Sequence, residues 1–489
     1  MARRTSSGMV SLAPSRTMLL PALLLVSLLP QDPVLLQQDL EANVWMGTGF
    51  KIGEVTGTEA VVWTRVTGSR RAVGAPWPEG ADAVPEGRTL AAMEGAVPGM
   101  RGRVQVSWRE RGQRDWTWSS DWVQVDPDRD CTHQFLLTEG IRPGRAYDLT
   151  VAVRPLEDDP ICERRSGSFR TPPAADVPAP ARFTVTSCQS WRRRDDPQGG
   201  HRIYTKMTAL NPDFFVHTGD VVYHDKPGPL ARSPALARYK WNRMYGLPFL
   251  RAFHERVPAW FMTDDHDVLK NDCWPGQSYG DLSFDAGLAI FREQTPSGPR
   301  PYRRVRWGRD LEVWFMEGRA FRSPNRMPDG PDKSIWGAEQ KAWFKRTFAA
   351  SNATFRVLVS STPIVGPDRG NKNDNHANTG FRTEGDELRS FLAEHDDVFV
   401  ICGDRHWQYV SQDPASGVWE FACGPSTDAH AGGFSERNRS EAHRYLKVCG
   451  GFLEVVLQYE EGEPRLLFQH RGVDGEVLHA DRRLPTRGR

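Results

Sequence analysis

The chain has 489 residues, room for two or three domains. Its 63 lysines and arginines are matched by 62 aspartates and glutamates, which removes any overall electrostatic case for a nucleic-acid surface. Arginine clusters at Arg192-Arg193-Arg194 and at Arg303-Arg304 with Arg306 read as solvated faces, although Arg192, close behind Cys188, has the reach to grip a phosphate.

Residues 1–32 read as an export signal, placing the protein in the periplasm, at the cell surface or outside the cell. Arg3, Arg4 and Arg16 precede the apolar run Met18 to Pro30, which is shorter than the roughly 20 residues of a spanning helix. No small-residue cleavage site follows, only Gln31-Asp32-Pro33, so the export route and retention as an anchor both stay open. No other segment is apolar for long enough to span a bilayer.

From 44 to 172, short alternating runs recur at Ala60 to Val66, Gly102 to Trp108, Gln134 to Leu137 and Tyr147 to Val153. With the Pro143-Gly144 turn they read as a small β-sandwich. The Gly/Pro/Ala-rich stretch from about 71 to 101 reads as an insertion or mobile loop. Cys131 and Cys162 either bridge, as an oxidising compartment would allow, or stay separate thiols. The Pro-rich segment 171–180 is a stiff linker that closes this region.

Beyond the linker, strand patterns alternate with helix-length segments at Arg232 to His254, Gly337 to Phe348 and Gly385 to His395, so residues 181–480 read as an α/β core. Four apolar, strand-like runs end in chemistry: Arg182 to Gln189 at Cys188, Asp213 to Asp220, Ala259 to Asp267, and Val398 to His406. Set side by side, the last three would gather Asp220, Asp265, His266, Asp404 and His406 beyond their carboxyl ends. So many acids cannot share a partly buried crevice unless a cation offsets their repulsion. Glycine at Gly219 and Gly403 allows a sharp turn where each strand stops. Asp404 and His406, two apart, would share a face of an extended segment. These residues point to a metal-dependent hydrolase.

The order Ser187-Cys188-Gln189, Gly219-Asp220-Val221-Val222-Tyr223, Asp264-Asp265-His266-Asp267 with Asn271, and Gly403-Asp404-Arg405-His406 resembles the alkaline phosphatase D (PhoD-like) branch of the calcineurin-like metallophosphoesterases. The resemblance runs over about residues 45–475. It implies a metallophosphoesterase β-sandwich core with flanking helices, preceded by a fibronectin-III-like domain, and a monomer that hydrolyses phosphate esters with Fe(3+) and Ca(2+) or other divalent metals. Position by position, Cys188, Tyr223 and His406 would hold iron, Asp220 would bridge metals, and Asn271 and Asp404 would take calcium. The chemistry agrees, since thiolate and phenolate suit ferric iron while carboxylate and carboxamide oxygens suit calcium. The sequence departs from the family where Asp267 replaces a usual Glu and Lys270 precedes Asn271. Lys270 would assist phosphate binding or point to solvent. The run Asn371 to Phe381, with Asp374 and His376, matches more loosely.

A hydroxide activated by the metals would attack phosphorus in line. His266, with Asp265 beside it, would protonate the leaving oxygen, or else would orient a metal-binding carboxylate. A non-catalytic surface or carbohydrate-binding protein on the same fold is the alternative, and the intact ligand set argues against it.

Overall fold

The computed structural model describes residues 43–156 and 160–486; the export signal read at 1–32 lies outside the described residues. Two sheets face each other. The first, of nine strands, runs in the order Val477–Arg483, Glu463–Arg471, Phe452–Glu460, Ala181–Thr186, Phe214–His217, Ala259–Phe261, Phe50–Gly53, Ala60–Arg65 and Thr132–Leu137. The second, of seven strands, runs Arg303–Trp307, Leu311–Phe315, Phe355–Ser360, Val398–Cys402, Trp419–Cys423, Gln408–Gln412 and His443–Lys447.

Side-chain alternation explains why the central strands read as unbroken apolar runs. Phe214 and Val216 pack between the two sheets, whereas Phe215 points the other way into a helical layer with Tyr204, Trp241, Phe253 and Phe291. In the second sheet Val313, Val357 and Ile401 face inward, while Trp314, Leu358 and Val400 meet Phe344, Phe348, Leu388 and Leu392. Helices therefore cover the outer face of each sheet.

The three helix-length segments are helical. The first is split into Pro234–Tyr245 and Pro248–His254, because Pro248 sets φ for a new first turn and disfavours helix at the residue before it. The other two are Gly337–Ala349 and Arg382–Ala393.

The N-terminal region does form two layers, but one of them belongs to the nine-stranded sheet. Phe50–Gly53 pairs in parallel with Ala259–Phe261 at Gly53 and Ala259, and Glu54 N–H donates to Ala259 O at 3.1 Å. The strands Arg103–Glu110, Ala146–Arg154 and Glu163–Arg170 form the opposing sheet, with Phe50, Ile52 and Val62 packed against Val104, Leu149 and Val151. The linker at 171–180 divides the sequence, but the hydrogen-bond ladder crosses that division. Buried Lys51 reinforces the join, donating to Gln294 O at 2.9 Å and lying 3.1 Å from the ring centre of Trp63 and 3.8 Å from that of Tyr245. The stretch 71–101 carries one 3-10 turn, Leu90–Ala92, and no strand. Cys131 and Cys162 are separate thiols, the first buried in the sandwich core.

Two local expectations need correction. The strand Val398–Cys402 is not beside Phe214–His217 and Ala259–Phe261; it lies in the facing sheet, so the crevice is formed by the edges of two sheets. Asp404 and His406 are not in an extended segment either, because Asp404 has φ +61° and the strand has already ended.

The two edges meet through glycine. A Cβ on Gly403 would sit 2.3 Å from Thr218 Oγ1, 2.8 Å from Ser187 Oγ and 2.9 Å from Ser361 O. One on Gly219 would sit 2.5 Å from Asp264 Cβ, at a residue whose φ of +112° already favours glycine. Gly403→Ala should therefore destabilise the fold by about 1–3 kcal/mol and lower metal content. Thermal unfolding with metal analysis checks this, and an unchanged protein on both counts contradicts the close packing of the two edges.

Candidate metal centre

Four strand ends supply the site. Cys188 follows Ala181–Thr186, Asp220 follows Phe214–His217, Asp264 and Asp265 follow Ala259–Phe261, and Asp404 follows Val398–Cys402. Cys188, Asp220 and Asp404 all hold left-handed backbone, with φ of +49°, +58° and +61°. Such conformations cost free energy in a non-glycine residue and persist only where the surroundings enforce them.

That enforcement is visible. Asp267 accepts from the backbone N–H of Asp220 at 2.7 Å, of Val222 at 3.0 Å and of Asp264 at 3.0 Å. It thereby ties the turn after Phe214–His217 to the short helix Asp265–Val268, capped by Asp264. The aspartate that departs from the family pattern is thus a brace between two strand ends. Ser187 Oγ lies 3.1 Å from Cys188 Sγ and accepts from Asp404 N–H at 3.1 Å, linking the two sheets.

Donor atoms converge on Asp220. Tyr223 OH donates to Asp220 Oδ2 at 3.0 Å and lies 3.5 Å from His406 Nε2, and Cys188 Sγ is 3.5 Å from the same carboxylate oxygen. Three groups have ligand atoms within 4.8 Å of one another: Cys188, Asp220 and His406; Asp220, Asp265 and His266; and Asp220, Asp264 and Asp404. Asp220 belongs to all three. Its Oδ1 and the Oδ2 of Asp264 are buried without any partner, an arrangement that bare carboxylates do not tolerate.

Part of the negative charge is met by protein cations that sequence reasoning missed. Buried Arg319 donates to Asp264 Oδ1 at 2.6 Å and comes within 3.8 Å of Asp265. Buried Arg405 pairs with Asp404, and lies 3.3 Å from Asp368 and 3.4 Å from Asp374. Asp374 thus supports Arg405, whereas His376 is paired with Glu384 at 3.0 Å away from the cluster.

Titration follows the burial. Burial, with Asp265, Asp264 and Asp267 nearby, pushes Asp220 well above the usual carboxylate range although His266 opposes this. Asp404 is pushed up to about 6 by burial, with Arg405 pulling against Asp374 and Asp265. Burial and the neighbouring Asp220 also raise Cys188 and Tyr223. His406 drops to about 2 because it is buried near His430 and His266, so its imidazole is neutral and able to bind a metal. A thiol, a phenol and an imidazole converging on Asp220, a carboxylate that no arginine or lysine pairs among the described residues, fit one or more bound cations.

His266 stands differently. Its Nδ1 is 2.6 Å from Asp225 Oδ1, and its ring is 4.3 Å from that of Tyr223. Burial pulls His266 down, but Asp265, Asp220 and Asp225 outweigh it and hold the ring at about 10, protonated at neutral pH. Asn271 is exposed and its backbone N–H donates to Asp225 Oδ2 at 3.1 Å; Lys270 beside it is half-buried. Arg192 is exposed, 3.3 Å from Pro227 O, and borders a small pocket with Tyr223. Asp225 and His430 were not singled out in the sequence. Asp225 carried a usable signal, a carboxylate two residues beyond Tyr223. His430, whose Nδ1 is 2.8 Å from Cys188 O and whose ring is 4.2 Å from that of His406, ends the short 3-10 turn Asp428–His430, which has no apolar pattern around it.

The PhoD-like phosphatase family model matches residues 183–449. A solved structure of PhoD superposes with a TM-score of 0.68 at 16% identity, covering 90% of this chain and 89% of that one. A purple acid phosphatase, PPD1 from yellow lupin (Lupinus luteus) seeds, superposes with a TM-score of 0.57 at 12% identity, covering 88% of this chain and 73% of that one. No curated protein sequence matches the chain.

If Asp220, Cys188 and Tyr223 bind metal, each must give up the proton that burial favours in the metal-free site, and Asp404 must do so below about 6. Each proton released adds about 1.4 kcal/mol to metal affinity per unit rise in pH. The gain in unfolding temperature on loading metal should thus be larger at pH 8 than at pH 5. A gain equal at both, or larger at pH 5, contradicts this reading of the ligands.

Proposed function

The chain belongs to the PhoD-like phosphatase family, a metal-dependent hydrolase of phosphate esters, and from that premise we propose that its centre holds ferric iron and calcium. Cys188, Tyr223 and His406 would bind the iron, Asp220 would bridge, and Asp404 with Asn271 would take the calcium. The observation that supports this reading most is Asp220, with one buried oxygen unpartnered and the other shared by the Cys188 thiol and the Tyr223 hydroxyl. Bound, the metals would supply positive charge to the phosphoryl oxygens and acidify water for in-line attack on phosphorus.

The chain's own residues supply the proton. His266 is 7% exposed beside Asp220 and Asp265, and Asp225 engages its Nδ1, which leaves Nε2 to act. Asp225 lies outside the proposed ligand set, so its contact with Nδ1 does not compete with metal binding. Nε2–H is then a donor for the departing oxygen, and Asp225 positions it. Asp265 accepts from His266 N–H at 2.9 Å and from Asp272 N–H at 2.5 Å, which fixes the start of the short helix that carries the histidine. Lys270 and Arg192, both at the rim, would add positive charge for the incoming ester. The basic and apolar N-terminal segment supports export, so the enzyme would meet its substrates outside the cytoplasm.

Iron held by Tyr223 predicts a purple or brown protein with a visible tyrosinate-to-Fe(III) band, and Tyr223→Phe should remove or shift that band. A colourless, iron-free and active protein overturns the iron assignment while leaving a metal site intact.

His266→Ala should slow alkyl phosphate esters about 10²–10⁴-fold, and nitrophenyl esters far less, because only a poor leaving group needs the proton. Turnover of both ester types, with metal content measured in each protein, checks this. Equal losses on both substrates exclude the acid role and favour a purely orienting histidine.

A further inference from the structure

A cleft of about 580 Å³ opens beside the loop that follows Cys188 and is bordered by Trp191. Four guanidinium groups line it, those of Arg71, Arg194, Arg243 and Arg251, against a single lining carboxylate, Glu94. It shares Trp191 and Arg243 with the small pocket that Tyr223 borders, where Arg192, Lys226 and Lys240 are the further charged residues. Together the two adjoining pockets are lined by seven basic side chains and one carboxylate, on a chain whose formal net charge is only +1. Such one-signed walls focus field on an incoming anion.

Within the protein these cations meet backbone carbonyls more than carboxylates: Arg194 donates to Trp191 O at 2.8 Å and Pro197 O at 3.1 Å, Arg251 to Gly47 O at 3.0 Å and Arg70 O at 3.1 Å, and Lys226 lies 3.9 Å from Asp225. Glu94 comes no closer than 3.7 Å to Arg194, and Lys240 spends its donors on the carbonyls of Tyr223, His224 and Lys226. Arg243 is 5% exposed; its Nη1 donates to Gly228 O at 2.5 Å, but its Nε has no partner. Burial pulls Arg243 down to about 10, so it remains charged at neutral pH. The indole N–H of Trp191 is likewise buried and unpartnered. Its ring already carries Arg194 at 3.8 Å and Arg243 at 4.5 Å, so the cleft presents charge in place of a bare aromatic face. Phosphate, with several acceptor oxygens and full negative charge, is the group that answers this excess of positive charge.

Resting on the reading that the metal centre cleaves phosphate esters, we propose that this cleft is an anion subsite that holds a second phosphate of the same substrate. The preferred substrates then carry two or more phosphates, one cleaved at the metal centre and another gripped by Arg71, Arg194 and Arg243.

The test uses the metal-loaded full chain and 5′-nitrophenyl esters of thymidine oligonucleotides with one, two and four phosphates, in which leaving group and scissile bond are constant and the nucleosides serve as spacers. KM should fall about tenfold or more along the series with kcat little changed, and the fall should shrink as salt rises. In the Arg71→Gln, Arg194→Gln double variant the series should flatten while the one-phosphate ester is turned over as before. The Arg71→Lys, Arg194→Lys pair should keep most of the preference. Equal KM across the series in the unaltered protein overturns the subsite, as does a double variant that loses equally on all three esters. An unaltered, metal-loaded protein that cleaves none of them overturns the subsite, and one that also leaves nitrophenyl phosphate, a monoester, intact overturns the phosphoesterase reading itself.

Discussion

The arrangement of the catalytic edge depends on how buried carboxylate charge is balanced. Asp264 and Asp265 are served by Arg319, and Asp404 by Arg405, which Asp368 and Asp374 hold in turn. Asp220 has no such arginine, and it is the residue on which a thiol, a phenol and an imidazole converge. The protein has thus neutralised the rim of the cluster and left its middle open to a bound cation. In a low-dielectric interior that deficit is a strong attraction for metal and a strong repulsion without it.

Holding donors at that point requires backbone that non-glycine residues avoid. Three of the proposed ligands have positive φ, and each sits where a strand has just ended. The strain is sustained by the sandwich beneath, by the Asp267 brace, and by glycines that let two sheet edges approach within contact distance. The N-terminal strands contribute at a distance. They extend the nine-stranded sheet past Ala259–Phe261, and Arg165 grips Glu255 with bonds of 2.6 and 3.0 Å just before that strand begins. The region that reads as a separate module is therefore part of the scaffold that fixes one of the four strand ends.

Much of this is legible in the sequence, and the limits have physical causes. Apolar runs ending at Cys188, Asp220, Asp265 and Asp404 mark strand ends, because a strand buried on both faces has no polar alternation and its first acid announces the edge. Which sheet a strand joins is not local information, so Val398–Cys402 was grouped with the wrong neighbours. The geometry of Asp404 and His406 escaped for a related reason: glycine at Gly403 signals a turn, but here it serves close packing, and the positive φ falls on the aspartate. Arg319 does not show in the sequence as a charge partner because Asp264 and Asp265 lie more than 50 residues before it, and although Arg405 adjoins Asp404, the Asp368 and Asp374 that hold it come from a separate loop. Asp225 stands only two residues beyond Tyr223, within the span of that motif.

The central claim is that Asp220 sits under a metal ion held by Cys188, Tyr223 and His406. Anomalous diffraction from crystals of the active protein, recorded on either side of the iron absorption edge, tests it directly. The account predicts an iron peak within bonding distance of all four side chains. An active protein with no anomalous peak at that position, or with a metal bound only elsewhere, would contradict it.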